Sequence, residues 1–324
     1  MSFVELFFSY FKPQPLTLLQ RPPFYHKTIL DPELIQAKLN KEFSYAREQQ
    51  EQSKLPSRVT FYTPANAFLN APAETHSEIH TETAQVGAYQ AKIASYQGLR
   101  PTMEDAHIAQ MLPCFKKQIP LFGIFDGHNG KKASHFLKEK LPFYLTHYLE
   151  KFNPSGNFTD TGIWNALKHA FIELDHDFTG PEGSTATICL LINGHIWTAN
   201  LGDSRAILTP NIQLSEDAKP TNPRYQNSIF KRGGFVLWDR INGNLAVGRA
   251  FGDHGLPVPH APKITKHPIL PKSHLLIACD GLWDVASTAH VSAHIEKDPN
   301  PAHVVYKAAY AGSTDNISVL IVKL

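Results

Sequence analysis

The chain has 324 residues, 42% hydrophobic and 19% charged, an ordinary globular composition with room for a sizeable core. A formal net charge of +2, with no long Lys/Arg run, gives no electrostatic support to a nucleic-acid or polybasic membrane surface. Cys114, Cys189 and Cys279 lie in or beside apolar strand-like runs and read as reduced core residues, which excludes a disulfide framework.

The N-terminal stretch 1–10 is apolar but short, carries Glu5 and lacks a positive leader region, so no secretory signal is expected. No segment reaches the roughly 20 apolar residues of a membrane span. The expectation is a cytoplasmic protein, a pattern that export by a specialised secretion system would share. Asp31-Pro32-Glu33 then offers an N-cap, a proline at the first helical position and an acid in the first turn. Ile35, Leu39, Phe43 and Ala46 follow at helical spacing, predicting an amphipathic helix over 31–47. Residues 63–85 are polar, rich in Thr and Ala and without period, and read as a linker. An N-terminal extension over 1–85 and a larger domain over 86–324 follow.

Beyond Val86 the pattern changes to short apolar strands broken by Gly, Asp and Asn. One helix is expected from about Lys131 to Lys151, with Pro142 as a kink or break. A second follows Asp160-Thr161, with Ile163, Trp164, Leu167, Ala170, Phe171 and Leu174 on one face. Residues 187–192, joined through Asn193-Gly194 to 195–199, read as an antiparallel hairpin. Ala-rich helices are expected near 286–296 and 301–311. Runs apolar on both faces suggest two packed antiparallel sheets under outer helices, an α+β arrangement.

Acidic residues stand at the ends of these runs. Asp126 closes the run 121–125, Asp280 closes 275–279, and Asp203 sits in a turn between 196–199 and 205–208. Glu104 and Asp105 follow Arg100, and Asp315 precedes the run 317–322. Carboxylates are depleted from strands and costly to bury unpaired, so a set at strand ends calls for something positive between them. Hard divalent cations, which take oxygen ligands, are the simplest candidate. Gly127 lets the backbone bend close beside Asp126, and its carbonyl could add an oxygen; His128 is placed to exchange a proton with a substrate. Arg100 carries a planar fork suited to a tetrahedral oxyanion such as phosphate. Each motif alone has a plainer reading: a turn, a surface ion pair, an Asp203–Arg205 contact, or an Asx turn at Asp315.

Jointly the motifs resemble the metal-dependent type 2C serine/threonine protein phosphatases. The matching stretches are 100–105, Phe125-Asp-Gly-His128, 183–186, 199–205, 245–253, 279–284 and 315–318, in the family's order. The resemblance implies a four-layer αββα sandwich of two antiparallel sheets flanked by helices. It also implies two Mg²⁺ or Mn²⁺ ions bridged by Asp126, with the Gly127 carbonyl on one and Asp280 and Asp315 on the other. Glu104 would act through water, Asp203 would join Asp280 at a third, weaker ion, and Asp105 would give support. Arg100 would grip the phosphate and His128 would protonate the leaving alcohol. The implied reaction is hydrolysis of phosphoserine and phosphothreonine in proteins by a dimetal-activated water, without a covalent enzyme intermediate. The expected partner is a phosphoprotein substrate, with no nucleic acid and no membrane span, acting on a monomeric enzyme. A phosphatase of small phosphorylated metabolites and a catalytically silent pseudophosphatase are the alternatives.

A cysteine-nucleophile phosphatase needs Arg six positions after Cys, where this chain has Pro120, His195 and Val285. His290 and His294 share a helix face but lack an acidic third ligand, and read as solvent-facing. Two departures from the family stand out: Asn129 replaces a glycine, and Ala218 replaces a histidine. Asparagine tolerates left-handed backbone. The stretch 210–244 corresponds to a variable flap expected to influence which substrate fits.

Overall fold

The computed structural model describes residues 67–69, 71 and 78–324, so the helix expected over 31–47 lies outside the described residues. The strands are β1 His80–Val86, β2 Tyr89–Tyr96, β3 Ala106–Cys114, β4 Lys117–Phe125, β5 Gly127–His128, β6 Gly183–Ser184, β7 Ala186–Ile192 and β8 His195–Leu201. They continue as β9 Arg205–Leu208, β10 Ile212–Gln213, β11 Val236–Leu237, β12 Arg240–Ile241, β13 Phe251–Gly252, β14 Lys263–Pro268, β15 His274–Ala278 and β16 Ile317–Lys323. The helices are α1 Lys132–Phe152, α2 Asp160–Asp177, α3 Pro223–Lys231, α4 Asp280–Trp283, α5 Thr288–Ile295 and α6 Pro301–Tyr310.

Two antiparallel sheets dominate, a six-stranded one ordered β1-β2-β16-β15-β9-β10 and a five-stranded one ordered β14-β8-β7-β4-β3. Alternation along each strand sorts its side chains between two cores. On β4, Leu121 and Phe125 pack with Leu137 of α1 and Phe171 of α2, while Phe122 and Ile124 face the other sheet. On β16, Val319 and Ile321 pack with Val291 and Val304 of α5 and α6, while Leu320 and Val322 join Ile93 and Ile277 between the sheets. The result is the expected αββα sandwich, with an apolar layer between each pair of neighbours. All three cysteines are free and buried. Asn193 and Gly194, at φ 51° and 72°, make the tight turn of the β7–β8 hairpin.

The helix α1 is continuous through Pro142, so of the kink or break expected there the break is excluded. Three further local readings differ from expectation. Trp164 stands at the margin of the α2 stripe, 43% exposed, with Lys168 Nζ 5.2 Å from its ring centre. The stretch read as a linker ends in strand, because His80–Val86 pairs along its whole length with β2. Most of its side chains face solvent, so no hydrophobic period marks it. Upstream, residues 67–69 form a helical turn whose Phe68 is fully buried among α5 and α6, with Lys307 Nζ donating to the Ala71 carbonyl at 2.8 Å. Phe68 lies edge-on to His294, so that histidine is half-buried and not solvent-facing.

Candidate active site

One edge of the sandwich gathers the acids because antiparallel pairing brings the end of β15 beside the start of β16, and the end of β4 reaches the same edge. A cleft of ≈ 410 Å³ there is lined by Arg100, Glu104, Asp126, Gly127, His128, Asp203, Asp280 and Asp315. Every site residue singled out in the sequence therefore faces one space. Asp105 lies beneath it, buried.

The backbone around Asp126 is held on all sides. Its carbonyl accepts from Thr185 N at 2.8 Å, and its N–H donates to Thr185 Oγ1 at 3.1 Å. Gly127 packs against the 100–105 segment: a Cβ there would lie 2.5 Å from the Glu104 carbonyl oxygen. Gly281 makes the same close approach to the Asn316 carbonyl, at 2.0 Å. Asp-Gly at a strand end thus serves packing as much as bending. Asn316 fastens the remaining loop, accepting from Glu104 N at 2.8 Å and donating to the Gln97 and Thr102 carbonyls at 2.7 and 3.0 Å. Asn129 adopts φ 60°, the left-handed conformation its glycine-like tolerance allows.

The electrostatics are those of an anionic cluster short of cations. Burial, then repulsion from Asp105, Asp280, Asp203 and Asp315, pushes Asp126 well above the usual carboxylate range. Burial, then Asp203 and Asp284, does the same to Asp280. Asp105 is pushed up to about 6, chiefly by burial, although Ser318 and the Cys279 thiol partly offset it. Asp105 and Asp203 are both buried, and Asp203 Oδ1 lacks a hydrogen-bond partner among the described residues. Lys219 Nζ pairs with Asp203 Oδ2 at 2.5 Å and lies 3.6 Å from Asp284. Burial opposes the charge on Lys219, but Asp203 outweighs it and keeps the ammonium raised above its ordinary range. Arg100 Nη2 meets Asp315 Oδ2 at 2.5 Å.

This donor set suits hard divalent cations. Atoms of Asp105, Asp126 and Cys279 capable of ligation lie within 4.8 Å of one another. Burial and the neighbouring acids push the Cys279 thiol well up, so it stays protonated and leaves oxygen as the working donor. Buried, mutually repelling carboxylates are what a cation would satisfy.

The comparisons with known proteins agree. The description "Protein phosphatase 2C" matches residues 89–317. The chain belongs to the protein phosphatase 2C family. Its members are metal-dependent serine/threonine phosphatases, hydrolases of phosphoserine and phosphothreonine, and this chain is of that class. It is 35% identical over 262 residues to "Probable protein phosphatase 2C 7" of Oryza sativa subsp. japonica, covering 74% of this chain and 67% of that protein. It is 30% identical over 292 residues to human "Protein phosphatase 1A", covering 79% and 75%. Against another rice relative, "Probable protein phosphatase 2C 52", the match spans 49% of that protein's length. A serine-threonine phosphatase 2C from Toxoplasma gondii shares the fold at TM-score 0.61 and 22% identity, covering 76% of this chain and 98% of that one. A C. elegans sex-determining protein aligns at TM-score 0.61 and 26% identity, covering 77% and 66%.

Sequence reasoning missed some of the site. Lys219 and Asp284 line the cleft, and neither was assigned there. Arg205 pairs with Asp217 at 2.5 Å and not with Asp203, which removes the plain reading of that turn. Ala218, in place of the family's histidine, is buried and holds the Asp203 turn through its N–H to the Gly202 carbonyl at 2.8 Å. Ile229, Val236 and Ile241 of the flap pack with Leu245 and Val258 in a small core. Among the described residues no helix is long and apolar enough to cross a membrane.

Proposed function

We propose that the cleft hydrolyses phosphoserine and phosphothreonine in proteins with two Mg²⁺ or Mn²⁺ ions, and a third held more weakly. The observation that carries this reading is the convergence of Asp126, Asp280, Asp315, Glu104 and Asp203 on one cleft beside Arg100 and His128. Asp126, the Gly127 carbonyl, Asp280 and Asp315 would hold the two ions, and Glu104 would act through water. Asp203, with Asp280, would serve the third. When bound, the ions supply a more acidic water for in-line attack and positive charge for the transferring phosphoryl group.

The chain's own residues do the rest. Arg100 is 56% exposed and free to swing, so phosphate oxygens would replace Asp315 in its fork. That exchange couples substrate binding to the release of a carboxylate. His128, part-exposed on the cleft wall, gives a proton to the departing alcohol oxygen. The buried thiols are raised by burial, Cys189 to about 12 and Cys114 to about 11, which fits the absence of covalent cysteine chemistry. A monomer over a catalytic unit of 86–324, supported from upstream by β1 and Phe68, completes the proposal.

The test is hydrolysis of p-nitrophenyl phosphate with Mn²⁺, with chelator, and in Asp280→Ala. Turnover that survives chelation, or full activity in Asp280→Ala, would overturn the mechanism. A panel of phosphopeptides against sugar phosphates decides the substrate class, with preference for phosphopeptides expected.

A further inference from the structure

The geometry points to Asp253 as the positioning residue of His128, fixing the ring so that Nδ1 is the nitrogen that delivers the proton. The inference rests on the proposed role of His128 as proton donor. His128 Nε2 lies 2.6 Å from Asp253 Oδ2, a short N–H···O contact. The acid's side chain is 2% exposed and the ring 24%, so the carboxylate holds the ring from below while one edge stays on the cleft wall.

The backbone is arranged for this pair. A small three-stranded sheet, β13-β6-β5, aligns Gly252 with Gly183 and Gly183 with His128. Asp253 follows directly, at φ 53°, a left-handed conformation uncommon for any residue but glycine and most tolerated by Asp and Asn. Its N–H donates to the Glu182 carbonyl at 3.3 Å, and the preceding Gly252 N–H donates to Asp175 Oδ1 on α2 at 2.7 Å. Gly183 sits between the two side chains. A Cβ there would lie 2.1 Å from Asp253 Oδ2 and 2.3 Å from His128 Nε2. The chain therefore keeps this position empty for the contact to form.

The proton's route follows. With Nε2–H donating to Asp253, only Nδ1 remains for the substrate. As the attacking water's oxygen forms its bond to phosphorus, the bond from phosphorus to the alcohol oxygen breaks, leaving its electron pair on that oxygen. The proton on Nδ1 passes to it, giving neutral alcohol and a neutral imidazole still bonded through Nε2–H. The proton lost by the water goes to solvent, from which the ring is recharged. Asp253 holds the ring's orientation throughout.

The experiment compares the full chain with Asp253→Asn, Gly183→Ala, His128→Gln and the His128→Gln/Asp253→Asn double variant, all with Mn²⁺. Two substrates are used: a phosphothreonine peptide, whose alkoxide needs a proton, and p-nitrophenyl phosphate, whose leaving group does not. Asp253→Asn should lower kcat on the peptide roughly 10²-fold, the lower end for acid–base catalysis, with KM nearly unchanged and a loss of only about 3-fold on p-nitrophenyl phosphate. The double variant should be no worse than His128→Gln, and Gly183→Ala should reproduce the substrate-selective loss. Equal losses on both substrates in Asp253→Asn, with His128→Gln selective, would overturn the positioning role alone. A non-selective His128→Gln would instead sink the underlying role of His128. Independently of activity, ¹⁵N NMR of the metal-free wild-type protein should show neutral His128 protonated at Nε2; the Nδ1–H tautomer would overturn the inference.

Discussion

The same strands build two interiors of opposite character. Between the sheets, β4, β15 and β16 contribute Phe122, Ile277 and Leu320 to an apolar layer. At one edge their ends present Asp126, Asp280 and Asp315 to the cleft. The first interior is stabilising by itself, through apolar area removed from water. The second accumulates repulsion, pushing Asp126 and Asp280 upward through burial and neighbouring acids. Within a few residues of one chain, then, stability and activity are assigned to different side chains.

The largest expected effect breaks the charged side. Asp280→Ala should lower p-nitrophenyl phosphate hydrolysis by about 10³-fold or more, some 4 kcal/mol of transition-state stabilisation, while metal-free melting is no lower than wild type. Breaking the apolar side should do the reverse. Leu320→Ala should cost about 3 kcal/mol in denaturant unfolding, with kcat per folded molecule unchanged.

Truncation sharpens the contrast. A chain starting at Val86 loses most of β1 and the Phe68 anchor, which pair with β2 and pack on α5 and α6. It should keep hydrolysis yet melt lower by a few degrees, roughly 1–2 kcal/mol for a domain of this size. Loss of folding would make those segments part of the core.

The smallest effect is on pH. Asp105 has a native value pushed up to about 6 by burial, above its ordinary 3.8, so the native state binds the extra proton. Its share of metal-free stability should therefore fall as pH rises from about 4 through 6, by on the order of 1 kcal/mol between pH 5 and 7.5, on top of the same-signed dependence of the raised Asp126 and Asp280. Chemical denaturation of wild type and Asp105→Asn across that range checks it, the variant losing that share and keeping the rest.

Much of the candidate site was legible because Asp126 and Asp280 close apolar runs and Asp315 precedes one, and a strand end is visible in sequence. The sandwich was legible for the same reason: runs such as 186–192 are buried on both faces. What escaped depends on contacts between distant segments. Asp253 stands in a recognisable motif, yet its partner His128 is brought to it only through Gly183 on β6. Lys219 reaches Asp203 from the segment after β10, and Asn316 fastens a segment more than two hundred residues earlier. Trp164 and β1 were misread for a related reason: side chains facing solvent carry no period to reveal their element. Pro142 shows the converse, since packing of α1 on β3 and α2 sustains a helix through a local breaker.

The central claim is that the cleft's carboxylates are held at a cost which bound cations relieve. Thermal melting of wild type and Asp126→Asn, each titrated with Mn²⁺ from the metal-free state, tests it directly. The account predicts that wild type rises with Mn²⁺, whereas Asp126→Asn starts at or above the metal-free wild type and barely responds. An Asp126→Asn protein that melts lower without metal and still rises fully with Mn²⁺ would contradict it.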